Sequence, residues 1–510
     1  MKMYRVRSWN GTALAVLVLA LAATTPGLAA GAAGRSSAEE AEGRWLAGDF
    51  HTHTLLSDGG RTPEEVASRA FLYGLDWFAT TDHGGAFRRD RRGNSFPEPV
   101  PRWITLEDQS YPAVLGLREA YPRKEILLGF EWNVPGMEHA TVVIAADEPD
   151  AVSAFEYMCD AHDTDTDRDL PKWNRTRADV LSCAAFLEGS YGETSCILPN
   201  HPSRRDKFRI ADLRELNDAA PTAMFGFEGI PGHQKESVRG SYYYVSPYRF
   251  NNDRSRTHGG ADYMAAKVGG VWDALLGEGR RFFVFANSDF HDDEGDFWPG
   301  EYAKSRTFVK GAGLKAVVDG MRSGNSFAVT GDLIDALSFT ASAGGGVATM
   351  GETLRAARGD RMEISVEFRS PEANNNGDAP RVDHIDLIAG QIHGKAKPGT
   401  RAYKSDVNPT ARVAARISAV DWTCENSSCR ARIDAGAIDG PMYFRLRGTN
   451  LPPSTPGETD EEGNPLSDDE ACGKDQDPPK CNTREKAYAD LWFYSNPIFV
   501  EILATGDLPR

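Results

Sequence analysis

Between residues 45 and 330, one short apolar run after another ends in histidine, aspartate or glutamate. "GDFHTHTLLSDGG" places His51 and His53 at the end of the first run and Asp58 in the turn that follows. "LDWFATTDH" ends in Asp82 and His83, "EILLGFEW" carries Glu131, "SCILPNH" stops at His201, and "RFFVFANSDFH" stops at Asp289 and His291. The runs are short, apolar and halted by polar residues, which predicts buried strands. "THTLLSDGGRTPEEVASRAFLYG", after the first run, predicts a helix: Thr62 as N-cap, Pro63 at its first position and Glu65 completing a capping box. Val66, Ala67, Ala70 and Phe71 then recur at helical spacing. Strands alternating with helical stretches predict an α/β fold of βα repeats, a barrel.

The C-terminal strand ends of such a barrel open on one mouth, so metal-type side chains from five strands converge on one volume. His51 and His53, two apart on a strand, point to the same face. A lone His-x-His arises by chance, but repeated placement at strand ends does not. His139, in "GMEHATVVI", begins a strand and reaches the mouth from the loop before it.

"DFHTHTLLSDGG", "TTDHGG", "GFEW" with a downstream histidine, "NHPSR" and "NSDFH" together resemble the ordered motifs of the PHP (polymerase and histidinol phosphatase) family. The resemblance covers residues 45 to 330. It implies a distorted (β/α)7 barrel with two or three divalent metals. The ligands it implies are His51, His53, Asp58, His83, Glu131, His139, His201, Asp289 and His291. The resemblance also implies that Glu131 bridges two metals and that Glu131, Asp289 and His291 carry the catalysis. Asp58 stands where some members have histidine. Imidazole suits zinc, iron and manganese, and carboxylates bridge ions and admit harder ones. Two close cations acidify a bridging water and absorb charge on phosphoryl oxygens, so the expected reaction is phosphoester hydrolysis by a metal-bridging hydroxide. Asp82 is expected to orient an imidazole from behind.

Arg204 and Arg205 follow His201, and a guanidinium there is suited to clamp phosphate, although the sequence does not choose between them. His233, in "GIPGHQKE", follows another strand-like run and is a candidate substrate contact or proton donor. Lys304 and Arg306 are weaker candidates of the same kind. The aromatic stretch "SYYYVSPYRFNNDRSRTHGG" suits either a lid or ordinary loop packing. "DTDTDRD", residues 163 to 169, spaces its aspartates like a calcium loop but has Arg168 where glycine is needed, so a solvated acidic loop is expected.

With 510 residues the chain has room for more than the barrel. Residues 1–30 combine basic Lys2, Arg5 and Arg7 with an apolar run from Ala13 to Ala23 and small residues at the end, the pattern of a secretory signal peptide. Residues 31–44 read as a linker, 45–334 as the barrel and 335–510 as a β-sandwich. That last part is rich in period-two segments and turn residues, and convincing helices are absent from its sequence.

A secreted or periplasmic protein with no membrane span after signal cleavage is therefore expected. Seven cysteines suit an oxidising compartment. Cys424 with Cys429, and Cys472 with Cys481, are plausible local pairs. Cys159, Cys183 and Cys196 leave at least one thiol over. A net charge of −17 argues against nucleic-acid affinity and points to a small phosphorylated substrate at a carboxylate-and-cation site. Two other classes stay open: a metal-dependent amide or carbonyl hydrolase, and an exported metal-containing binding protein without catalysis. Oligomeric state is not legible in the sequence.

Overall fold

The computed structural model describes residues 43–236, 239–240, 242, 253–425, 427–468 and 483–503. The expected signal peptide, nearly all of the linker, Cys472, Cys481 and half of the aromatic stretch after residue 240 lie outside the described residues. Among those described, no helix is long and apolar enough to cross a membrane.

The first part of the chain alternates strands with helices as its sequence predicts. Its principal strands are β1 (Arg44–Asp49), β2 (Trp77–Thr80), β3 (Glu125–Asn133), β4 (His139–Ile144), β5 (Ser195–Pro199), β6 (Gly226–Ile230), β7 (Phe283–Ala286), β8 (Ala303–Val309) and β9 (Ser326–Thr330). β1, β2 and β3 run parallel, while β4 and β5 continue the ladder antiparallel. On the other side of β1, β8 and then β9 pair antiparallel. β6 and β7 form a separate parallel pair. They meet their neighbours through isolated hydrogen bonds rather than a ladder: Ile197 N–H donates to Ala223 O, just before β6, at 2.9 Å, and Ser305 Oγ bonds Ala286 N and O at 2.9 and 3.0 Å. These nine strands thus form two hydrogen-bonded groups within a mixed α/β fold.

Continuous apolar runs make these strands because both faces are covered: every residue of β2, β5, β6 and β7 is buried. The helix Pro63–Leu72 starts where expected. Thr62 Oγ1 accepts from Glu65 N at 3.2 Å, and a Glu65 carboxylate oxygen accepts from Thr62 N at 2.9 Å. Its Val66, Ala67 and Ala70 face the core.

The second part is β-rich and two-layered. One layer is a five-stranded sheet that includes Ala336–Ala343, Arg361–Arg369 and Ser428–Ala437, with alternate residues such as Leu337, Phe339, Ile364 and Val366 turned inward. The other continues the sheet of the first part, since Trp492–Ser495 pairs antiparallel with β9. A buried ion pair also joins the two parts: Arg445 meets both carboxylate oxygens of Asp273 at 2.9 and 2.7 Å. One short helix, Thr483–Ala489, departs from the all-β expectation. It follows the acidic, turn-rich stretch, and its Ala487 and Tyr488 are buried.

Cys159 and Cys183 form a disulfide between the helices Asp150–Cys159 and Arg177–Tyr191, and Cys424–Cys429 closes a hairpin. Cys196 on β5 is a buried free thiol. Two disulfides suit an oxidising compartment.

Candidate metal centre

β3 carries Glu131 into the middle of a histidine cluster. The side chain is 1% exposed, and its two oxygens stand 2.8 Å from His83 Nδ1, 3.1 Å from His51 Nε2, 3.1 Å from His139 Nδ1, 3.2 Å from His201 Nε2 and 3.4 Å from His53 Nε2. The Asn200 amide donates to Glu131 Oε1 at 2.9 Å. A carboxylate has about four lone-pair directions. Five ring nitrogens and one amide exceed them, so hydrogen bonding alone does not account for the arrangement.

Asp289 completes the floor. Its Oδ1 lies 3.0 Å from His51 Nε2 and 3.1 Å from His53 Nε2, and those two nitrogens are 3.1 Å apart. Adjacent donors on one divalent ion with bonds of about 2.1 Å stand about 3.0–3.4 Å apart, from octahedral to tetrahedral angles. Asp289 Oδ1 and His83 Nδ1 are both buried without a hydrogen bond of acceptable geometry, despite their close neighbours. Cations between the facing donors would satisfy these atoms. The donor set therefore fits divalent metal.

Asp58 stands at the rim with its side chain half exposed. It faces His83 Nε2 and His291 Nε2 at 3.4 Å each and His53 Nδ1 at 3.7 Å. Groups whose donor atoms lie close enough together for one ion include His53, Asp58, His83 and His291; His51, His201 and Asp289; and His83, Glu131 and His139. All nine expected ligands are thus in one cluster.

His233 joins them, with Nε2 3.0 Å from Asp289 Oδ2 and Nδ1 2.7 Å from Asp296 Oδ1. The β6–His233 connection crosses directly over Asp289. A Cβ on Gly232 would lie 2.0 Å from Ser288 O and 2.3 Å from Asp289 Cβ, so glycine is required there. Arg204 Nη2 reaches His201 Nε2 at 2.9 Å, while Arg205 lies farther out and is more exposed. Lys304 and Arg306 turn to Asp332 instead, at 2.7 and 3.4 Å, which accounts for their charge without a substrate.

Asp82 does not touch an imidazole. It accepts from Thr54 N, Thr54 Oγ1 and Ser57 Oγ at 2.8, 2.8 and 2.6 Å, and so clamps the loop that presents Asp58. The residue behind His51 is Glu228, which sequence reasoning missed: Oε1 lies 3.0 Å from His51 Nδ1, and Oε2 accepts from His201 N at 2.6 Å. Its signal was present, because "GFE" at 226–228 on β6 repeats "GFE" at 129–131 on β3. Also missed was Glu138, 1% exposed and 3.1 Å from Arg204 Nη2. Asp296 was the third, and nothing in "HDDEGDFW" distinguishes it from its acidic neighbours.

Backbone strain collects here too. His201, His233 and Asp289 have φ of 30°, 58° and 45°, and Arg205 and Asp206 have 63° and 52°. Positive φ costs a non-glycine residue about 1–3 kcal/mol, and such residues cluster at functional sites. The electrostatics divide the histidines. Burial works against the charged ring of His83, but Glu131 and Asp58 push it up to about 10. Burial also opposes charge on His51, which Asp289, Glu131 and Glu228 nevertheless hold well above the usual range. Burial with His291 and His83 lowers His53 to about 4, and burial with Arg204 lowers His201 to about 3. The carboxylates that hold protons on His51 and His83 are the groups that attract cations.

No protein-family model matches the chain, and no curated protein matches it. Among solved structures, it is similar to a two-domain protein containing a predicted PHP-like metal-dependent phosphoesterase from Bacteroides vulgatus ATCC 8482. That match covers 83% of this chain and 94% of the other, at 12% identity and a TM-score of 0.34. It is also similar to Endonuclease Q, solved with a 27-mer duplex bearing an abasic lesion at the active site. That match covers 55% of this chain and 56% of the other, at 15% identity and a TM-score of 0.31. Similarities this distant leave function to be argued from the site.

Proposed function

We propose that this chain is an exported metal-dependent phosphoesterase of the PHP type, with a barrel-like catalytic part over residues 45–334 and a β-sandwich over 335–510. The observation that carries the reading is the crowding of five imidazoles around the two oxygens of Glu131. His51, His53, Asp58, His83, Glu131, His139, His201, Asp289 and His291 hold two or three divalent ions. Imidazole-rich mixed donors suit zinc, manganese or iron. Ions held there acidify bound water and neutralise charge that builds up on phosphoryl oxygens.

The chain's own residues do the rest. Glu228 fixes the tautomer of His51 by accepting from Nδ1 and so aims Nε2 at the cluster. Asp296 holds His233 through Nδ1 and so turns Nε2 to Asp289 Oδ2, at the edge of the cluster. Arg204 and Arg205 supply positive charge beside His201. The leading peptide and the disulfides support an oxidising destination.

The test is turnover of a panel of chromogenic phosphate mono- and diesters by protein loaded with zinc, manganese or iron. Ester cleavage that stops on chelation and returns with metal is expected. Loaded protein inert on every ester but releasing amine or acid from amide substrates would replace this reading with the carbonyl hydrolase.

A further inference from the structure

Two carboxylates grip the cluster from behind in the same way. Glu228 takes the His51 ring with Oε1, 3.0 Å from Nδ1, and the backbone N–H of His201 with Oε2 at 2.6 Å. Asp296 takes the His233 ring with Oδ1, 2.7 Å from Nδ1, and the backbone N–H of His291 with Oδ2 at 2.7 Å. In each case one buried acid orients an imidazole and fixes the backbone of a second histidine. His51 and His201 both belong to the nine expected ligands. Of the other pair, only His291 does.

The remaining ring nitrogens match as well. His51 Nε2 lies 3.0 Å from Asp289 Oδ1, and His233 Nε2 lies 3.0 Å from Asp289 Oδ2. Donors that share one divalent ion stand at such separations. A histidine that ligates a metal characteristically gives its other ring nitrogen to a carboxylate, a backbone carbonyl or water, which fixes the tautomer and makes the ligating nitrogen more basic. His233 meets both conditions. With Nδ1–H donating to Asp296, Nε2 is left as the lone-pair nitrogen facing the cluster.

The backbone is shaped to bring it there. His233 has a φ of 58°, a conformation that side chains other than glycine adopt at a cost, and His201 and Asp289 share the same strain. Gly232 leaves no room for a side chain, so the loop after β6 passes directly against Ser288 and Asp289. We infer that His233 is a tenth metal ligand, sharing an ion with Asp289 through Nε2, with Asp296 as the carboxylate behind it. The inference rests on the metal-dependent reading above, not on the ester it names, and adds a ligand to the nine that the family resemblance implies.

The test is nuclear magnetic resonance of protein carrying isotopically labelled histidine and saturated with a magnetic cadmium isotope, which couples strongly to a ring nitrogen only where the two are bonded. Cadmium content is measured on each sample. His51, His53, His83, His139, His201 and His291 supply six ligating imidazoles, and His233 makes seven. Seven coupled ring nitrogens are expected in the wild type and six in His233→Asn. Asparagine is among the residues that best tolerate this φ, so the loop should keep its course.

Six or fewer coupled nitrogens in the wild type, or the same number in wild type and variant, would overturn the inference. No cadmium uptake by the wild type would remove the metal-dependent reading and the inference with it, while uptake with six coupled nitrogens removes the inference alone. Should His233→Asn fail to fold, His233→Gly suits the same φ and takes its place, and the wild-type count decides by itself.

Discussion

Glu131 Oε2 lies 2.8 Å from His83 Nδ1, and the backbones of the same two residues form an isolated parallel bridge. The bridge extends the pairing of β2 with β3 past the end of β2, so main-chain register sets where the imidazole meets the carboxylate. A site placed by register is precise without metal but electrostatically crowded. Removing metal with a chelator is therefore expected to lower Tm by several degrees, and zinc or manganese should restore it in a concentration-dependent way. Thermal scans with and without chelator check this. An unchanged Tm would mean that nothing in the cluster binds.

Glu228 acts on the cluster through His51 and the His201 backbone, with Asn287 Nδ2 donating to it at 3.1 Å. Substitution Glu228→Gln keeps size and one acceptor but leaves the His51 tautomer unfixed. Metal affinity should fall by about 10- to 100-fold, the usual effect of losing a partner behind a ligand. Competition with a metallochromic indicator measures it, and circular dichroism should show the fold retained.

A second set of buried acids sits behind the mouth: Glu156, Asp160 and Asp163, all at most 2% exposed. Burial, Asp160 and Asp163 raise Glu156 well above the usual range, and burial raises Asp160 to about 7. A carboxyl whose folded pKa is raised stabilises the fold fully below its unfolded pKa. That contribution is lost as pH rises through the folded value. For Asp160 the window runs from 3.8 to about 7. Glu156 Oε1 accepts from Gly85 N at 2.8 Å, a bond glutamine keeps, while Oε2 is buried without a partner. Glu156→Gln should therefore raise stability at pH 8 by about 1–3 kcal/mol and flatten its decline with pH. Urea unfolding at pH 5 and pH 8 reads both effects.

The Cys159–Cys183 disulfide closes a loop with a separation of 24 residues, including the acidic stretch beside those carboxyls. Replacing both cysteines with serine should cost about 2–4 kcal/mol, with Cys196 left as a buried thiol. Denaturant unfolding of the double variant tests this, and an unchanged midpoint would contradict the linkage.

The candidate cluster was legible because most of its members end an apolar run, and burial makes such runs conspicuous; Asp58, in a turn, and His139, at the start of a strand, were suggested only by the family resemblance and by reach. His51, His83, His201 and Asp289 could be placed on one rim from strand ends alone. The capping box at Thr62 and Glu65 was legible for the same local reason. Strand pairing was not: the separation of β6 and β7 from the main ladder, and the joining of Trp492–Ser495 to β9, depend on long-range register. Partners behind the ligands were also hidden. Glu138 and Asp296 acquire their roles only through Arg204 and His233, distant in sequence and adjacent in space. Asp82 misled because its position beside His83 suggested an imidazole contact, whereas its side chain turns to Thr54 and Ser57.

The most direct test of the metal-centre account is elemental analysis of wild-type and Glu131→Ala protein, purified from an oxidising compartment and loaded in parallel with zinc, manganese and iron. The account predicts two or three metals per chain in the wild type, and loss of at least one, together with ester turnover, in the variant. Equal metal content in the two proteins, or no stoichiometric metal in the wild type under any loading, would contradict it.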